Sequence, residues 1–151
     1  MLRRPVSMIP VVVALTLVAS LAHGCSQRIL QYRDSGRTLR LSEVADLARA
    51  TDLGRAGQSA ADEAADLRTQ ALTELRSHGK DAQQLADALT AQLPADYRGV
   101  PVYVERASVD GRDCWIVVEA RPAAGGGGAL SARRYWVFDS SSLAVVESGA
   151  L

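Results

Sequence analysis

The chain has 151 residues, 48% of them apolar, and its 17 basic side chains balance 17 acidic ones. That length allows one modest core and little more. The balanced charge gives no electrostatic case for nucleic acid or for attraction to anionic lipid, and two cysteines are too few to staple a small domain.

Met1–Cys25 decides the compartment. Arg3 and Arg4 form a short positive stretch, Val6–Ala22 is an uncharged apolar run, and Ala22-His23-Gly24 is a small-residue ending before Cys25. This order is that of a secretory signal, with the arginines held in the cytoplasm and the remainder exported. The run is shorter than the ~20 residues that span a bilayer comfortably, and Pro10 shortens any regular helix further. Beyond residue 24 the chain keeps all 17 acids and 15 of the basic residues, a net charge of −2.

Leu21-Ala22-His23-Gly24-Cys25 resembles the lipobox of bacterial lipoprotein precursors; Gly24 and Cys25 match the pattern and His23 departs from it. The resemblance implies that Cys25 is the lipid attachment site and the first mature residue. Ordinary cleavage after Gly24 and an uncleaved N-terminal anchor are the alternatives. If Cys25 is not lipidated, a Cys25–Cys114 bridge is open to it in an oxidising envelope.

Residues 25–41 are polar and aperiodic, with a turn signal at Asp34-Ser35-Gly36, and read as a tether; a short helix docked through Ile29, Leu30 and Tyr32 is the alternative. The domain is expected over residues 42–151. Ser42 is placed to cap a first helix, with Val44, Leu47 and Ala48 on one face. Ser59 begins a longer helix to about His78, whose stripe is Ala60, Ala64, Leu67, Ala71, Leu72 and Leu75, and Gly79 stops it. Asp81 caps a third, which carries Leu85, Leu89 and Leu93 and ends at Pro94.

From Gly99 the apolar period changes from helical to two. Asp110-Gly111 predicts a tight hairpin between Val100–Val109 and Arg112–Arg121. In that register Val104 faces Val117, Tyr103 faces Val118, Arg106 faces Trp115 and Val102 faces Glu119. Neither face is then purely apolar, which calls for a bulge or a covered second face. Pro122–Ser131, with four consecutive glycines, reads as a flexible loop. Arg133–Asp139 and Leu143–Glu147 make a second hairpin. The expected fold class is α+β: two or three N-terminal helices on one face of an antiparallel meander of about four strands. This layout is similar, in topology alone, to cystatin-like and nuclear-transport-factor-like folds.

Residues suited to catalysis are sparse. His78 reads as a helix-end residue, Cys114 as a buried thiol, and Asp62, Glu63 and Asp66 as a charged first helical turn. Asp110 and Asp113 belong to turn chemistry, and the glycine run lacks the Lys-Ser/Thr ending of a phosphate loop. Tyr103, Trp115, Tyr135, Trp136 and Phe138 read as sheet packing, with Arg106 over Trp115 as a cation–π pair. No enzyme, cofactor or metal site is expected. The expectation is an exported, lipid-anchored bacterial envelope protein of interaction or accessory type, whose partners are the membrane and an envelope protein. A small-molecule binding module with a pocket between helices and sheet is the rival reading.

Overall fold

The computed structural model describes residues 28–94, 96–125 and 128–151. The signal, Cys25 and the choice among its fates lie outside the described residues. Within them runs a mixed α+β arrangement: β1 (Gln31–Leu39), α1 (Leu41–Ala50), α2 (Gly54–Gln58), α3 (Ala64–Arg76), α4 (Lys80–Gln92), β2 (Val100–Val109), β3 (Arg112–Arg121), β4 (Ala132–Asp139) and β5 (Val145–Ala150). The sheet has five strands in the order β1-β2-β3-β4-β5.

The central hairpin follows its sequence. Asp110 and Gly111 both adopt positive φ, at 48° and 79°, the geometry a two-residue turn requires. Val109 pairs with Arg112, Val104 with Val117, Tyr103 with Val118 and Arg106 with Trp115. The register shifts between Pro101 and Tyr103, so Pro101, not Val102, opposes Glu119. Val102 occupies a bulge, and the conflict in the alternating pattern falls there. The second hairpin also forms, β3 to β4 to β5 being antiparallel throughout.

Two expectations about the sheet fail at its first strand. Residues 31–39 are not tether but β1, an edge strand parallel to β2, and the sheet is therefore mixed, with five strands rather than four. Ile29 and Leu30 just before it are buried. The strand looked like a tether because an edge strand leaves its side chains in solvent, and most of β1 is exposed. Parallel pairing needs a long crossover, and α1 to α4 supply it.

The helices lie on both faces of the sheet rather than one. Side chains alternate along a strand, and on β3 the two sets meet different helices. Cys114 and Ile116, with Ala107 and Val109, meet Val44 of α1. Trp115 and Val117, with Val104 and Phe138, meet Leu72 and Leu75 of α3 and Leu85 and Leu89 of α4. Double coverage is why β2 and β3 are buried along most of their lengths. The parallel edge and the second helical layer depart from the cystatin-like and transport-factor-like layouts.

The helix starts differ in detail. Glu43, not Ser42, satisfies the start of α1: the Arg40 backbone N–H donates to its Oε2 at 2.6 Å. Ser59 does not begin a helix. Its carbonyl accepts from Leu130 N–H at 3.1 Å, and Ala61 N–H donates to Gly128 O at 3.2 Å. A short 3-10 turn, Ala61–Glu63, then leads into α3. The end of the glycine-rich loop is thus paired, and Leu130 is fully buried. Gly79, at φ 110°, precedes α4, while the Asp81 carboxylate is drawn away to Arg106 at 3.1 Å.

Leu30 tests the correction at the first strand. Leu30→Ala in the full chain is expected to lower the unfolding free energy by about 2–5 kcal/mol, the usual cost of emptying a buried leucine site. Denaturant titration reads it. An unchanged midpoint would return this segment to a tether.

Candidate functional site

Both faces of the β2–β3 hairpin are covered, yet each strand carries a fully buried carboxylate, Glu105 and Glu119. These are the strongest polar features of the domain, because a buried charge must be paired and hydrogen-bonded. They point to opposite faces: Glu105 shares its face with Tyr103, and Glu119 shares the other with Trp136.

Glu105 is held by β1. The register of β1 on β2 breaks between Asp34 and Thr38, and Gly36 within the break adopts φ 59°. The resulting bulge aims two side chains at one carboxylate. Ser35 Oγ donates to Glu105 Oε1 at 2.5 Å. Arg37 Nη2 donates to Oε2 at 2.6 Å, and Tyr103 O–H donates to the same oxygen at 2.6 Å. Burial by itself would raise the Glu105 pKa; the bonds from Arg37, Ser35 and Tyr103 outweigh it and hold the group below its ordinary 4.5. Tyr103 is pushed up to about 12, first by burial and then by its bond to Glu105, and remains a neutral donor.

Glu119 is held on the face that α3 and α4 cover. Tyr97 O–H and Trp136 Nε1 both donate to Oε2, at 2.5 and 2.9 Å. Arg68 Nη1 stands 3.7 Å from Oε1, which accepts no hydrogen bond among the described residues. Arg68 also donates to Gly99 O and Leu89 O, each at 2.9 Å, and so ties α3 to α4 and to the start of β2. A Cβ at Gly99 would collide with the Tyr97 ring and with Glu119, which is why a glycine stands there. The guanidinium carbons of Arg68 and Arg121 lie 5.2 and 5.3 Å from the centre of the Tyr97 ring. That of Arg134 lies 4.1 Å from the Trp136 ring. Burial, and then the charge of Glu119, raises Tyr97 well above the ordinary tyrosine range.

Chemically, both clusters fasten elements together. Each carboxylate is sealed from solvent and has two or three donors fixed on it, which suits a structural clamp better than a proton-transfer group open to substrate. The hollows nearby are small. One of about 180 Å³ lies between the end of α4 and the sheet, lined by Leu89, Leu93, Trp136, Phe138 and Val145. Another of about 240 Å³ lies between α3 and the residues after α4, and includes Arg68 and Tyr97. Pockets for drug-sized ligands run from about 300 to 1,000 Å³.

The residues singled out in the sequence are scattered. Exposed His78 lies in the turn just after α3 and stacks on Tyr32 with ring centres 4.0 Å apart. Cys114 is a free buried thiol, held above its ordinary pKa first by burial and then by Asp139. Asp62, Glu63 and Asp66 are exposed at the 3-10 turn and the start of α3. Asp110 accepts from Leu41 N–H at 3.4 Å and stays a turn residue. Arg106 does lie over Trp115, at 5.8 Å, and also pairs with Asp81 and Asp113. Among the described residues no three His, Cys, Asp or Glu side chains gather to hold a metal ion, and no helix there is long and apolar enough to cross a membrane. Glu105, Tyr97 and Arg68 escaped the sequence reading. Glu119 appeared there only as a misfit in an apolar face, and that misfit was the available signal.

The two outer edges of the sheet differ. β1 is bulged and bears Arg33, Asp34 and Arg37, devices that deter pairing with another strand. β5, the opposite edge, carries Val145 and Val146, 46% and 37% exposed. Compared with protein-family models, with curated proteins and with solved structures, the chain matches none of them.

Glu105 makes acid stability testable. Its folded pKa lies below 4.5, so the unfolded chain binds more protons in acid. Its stabilisation is complete above about pH 4.5 and is lost as the pH falls through the folded value. Asp113, lowered first by its bond to Arg106, and Asp139, lowered first by the Ser141 hydroxyl, act in the same sense. Glu105→Gln is expected to cost about 1–3 kcal/mol at neutral pH and to flatten, not abolish, the loss of stability in acid. Thermal melts from pH 3 to 7 read this, and identical acid slopes for the two proteins would refute it.

Proposed function

We propose that the chain is an exported, lipid-anchored bacterial envelope protein whose folded part is a non-catalytic interaction or accessory module. The carrying observation is the spacing between Cys25 and the first buried residues. The lipobox-like ending stops at Cys25, and Ile29 and Leu30 are already core. Cleavage before Cys25 therefore leaves every described residue in place.

Geometry also weighs against the competing fate of Cys25. Gln31 is level with Tyr103 and Val118, and Arg28 lies beyond it at the same end, its carbonyl beside Gly54. Cys114 is two strands away and about 13 Å from that level toward the opposite end. Three residue steps from Arg28 reach at most ~11 Å, and a disulfide needs Cα atoms within about 7 Å. A Cys25–Cys114 bridge would require the first strand to come apart.

The interaction role draws its support from the open β5 edge, whose outward backbone groups and two valines are suited to an added strand of an envelope protein. The rival reading, a small-molecule binding module, draws on the 180 Å³ hollow beside α4, and its size places it second.

Wild-type chain is expected to take up labelled fatty acid and to partition into detergent, and Cys25→Ser to lose the label. A wild-type product that partitions as a soluble protein with a free Cys25 ends the lipoprotein reading. For the edge, a photocrosslinking residue at position 146 should give a discrete protein adduct in intact cells, and one at position 34 should give none. Equal yields at the two positions would remove β5 as the contact surface.

A further inference from the structure

The folded part starts almost at the proposed anchor. Only Ser26 and Gln27 separate Cys25 from Arg28, and Ile29 and Leu30 are buried. The three residue steps from Cys25 to Arg28 span at most ~11 Å, about the depth of a headgroup layer and far less than the domain's length. A tether of residues 25–41 would have allowed the domain to tumble freely; this link does not.

The strand directions state which end is held down. β1 and β2 run parallel, so Gln31 lies at the same end of the sheet as the start of β2, the end of β3, the start of β4 and the end of β5. That end carries a shallow open hollow of about 490 Å³, lined by Arg121, Pro122, Ala123, Ala124, Arg133 and Leu151 among others. Among the described residues, Leu151 is one of three large apolar side chains that are well exposed. The Asp110-Gly111 turn and the turn after Asp139 lie at the opposite end, about 30 Å away along ten-residue strands.

We propose that this hollow end is a membrane-contact surface, seated on the phospholipid headgroups of the bilayer that holds the lipid on Cys25. The inference rests on the lipid-anchor reading above and adds to it the contact surface and its orientation. The basic side chains at this end, Arg28, Arg55, Arg98, Arg121 and Arg133, are largely offset by Asp52, Asp62, Glu63 and Asp96 on the segments beside it. The shortness of the link, not net charge, keeps the surface down, and the contact is expected to persist in vesicles of neutral lipid.

The test uses the full lipidated protein, extracted from membranes and reconstituted into phosphatidylcholine vesicles that carry a headgroup quencher. Ala123→Cys and Arg112→Cys place a fluorophore at exposed positions of the two ends, while Cys114 stays buried and unreactive. Quenching is expected to be several-fold stronger at position 123 than at 112, and to be unchanged when anionic lipid is added. A flexible insertion of about ten residues between Gln27 and Arg28 should bring the two values together without loss of the lipid. Intact mass of the same sample separates the two ways of failing. An acylated Cys25 with equal or reversed quenching overturns the contact surface alone, and an unmodified Cys25 overturns the anchor and the surface together.

Discussion

Coverage of the β2–β3 hairpin from both sides is the constraint on which the rest of this fold depends. A hairpin with one wet face could leave its polar side chains in water. With α1 on one face and α3 and α4 on the other, Glu105 and Glu119 have no water to return to. Each must therefore be met by protein donors, and the positions of those donors account for features that otherwise look incidental. The bulge in β1 exists where Ser35 and Arg37 reach Glu105. The chain between α4 and β2 passes where Tyr97 reaches Glu119.

Burying two carboxylates is a poor way to gain stability. An apolar side chain of similar volume, with its partners also made apolar, often does as well or better, whereas removing one partner of a buried pair is costly. What the carboxylates supply here is position. A one-residue slip of β1 on β2 would carry Ser35 and Arg37 to the wrong face and leave Glu105 sealed and unpaired. The parallel edge is short of other register signals, since most of its side chains are exposed, and Glu105 provides one. Glu119 does the same for layers rather than strands. Through Tyr97, Trp136 and the nearby Arg68 it fixes how α3, the link after α4, β3 and β4 meet.

Local rules were legible in the sequence, and the arrangement between elements was not. Asp110-Gly111 specified its turn and most of the hairpin register because positive φ at both positions is a property of those residues themselves. The stripes of α3 and α4 were legible for the same reason: Leu67, Leu75, Leu85 and Leu89 are spaced by the helix. Ser59 misled because capping is only one use of a serine, and here the backbone at 59–61 was taken by the glycine-rich loop at 128–130. The face that α1 covers could not be read, since Val44 and Ala48 do not say which side of a sheet they meet. Glu119 opposite an apolar residue did say that something was wrong with a one-layer picture, and the bulge at Val102 and the second layer are both answers to it.

β1 is where legibility matters most for function. It is polar, it contains Asp34-Ser35-Gly36, and composition alone cannot separate an exposed edge strand from a linker. The difference lies in Ile29 and Leu30, two adjacent apolar residues that look trivial in a polar stretch and are buried in the fold. Assigning them to the core moves the start of the domain back by about a dozen residues. A long tether would make the anchor a mere leash, and every surface of the domain would be equally free to meet a partner. If Cys25 carries the proposed anchor, a link of two residues makes it a constraint on orientation. With that end seated as proposed, β5 would run along the bilayer normal, because its strand goes from the far end of the sheet to the end that holds Gln31, and its open edge would face a partner standing beside the protein on the same membrane.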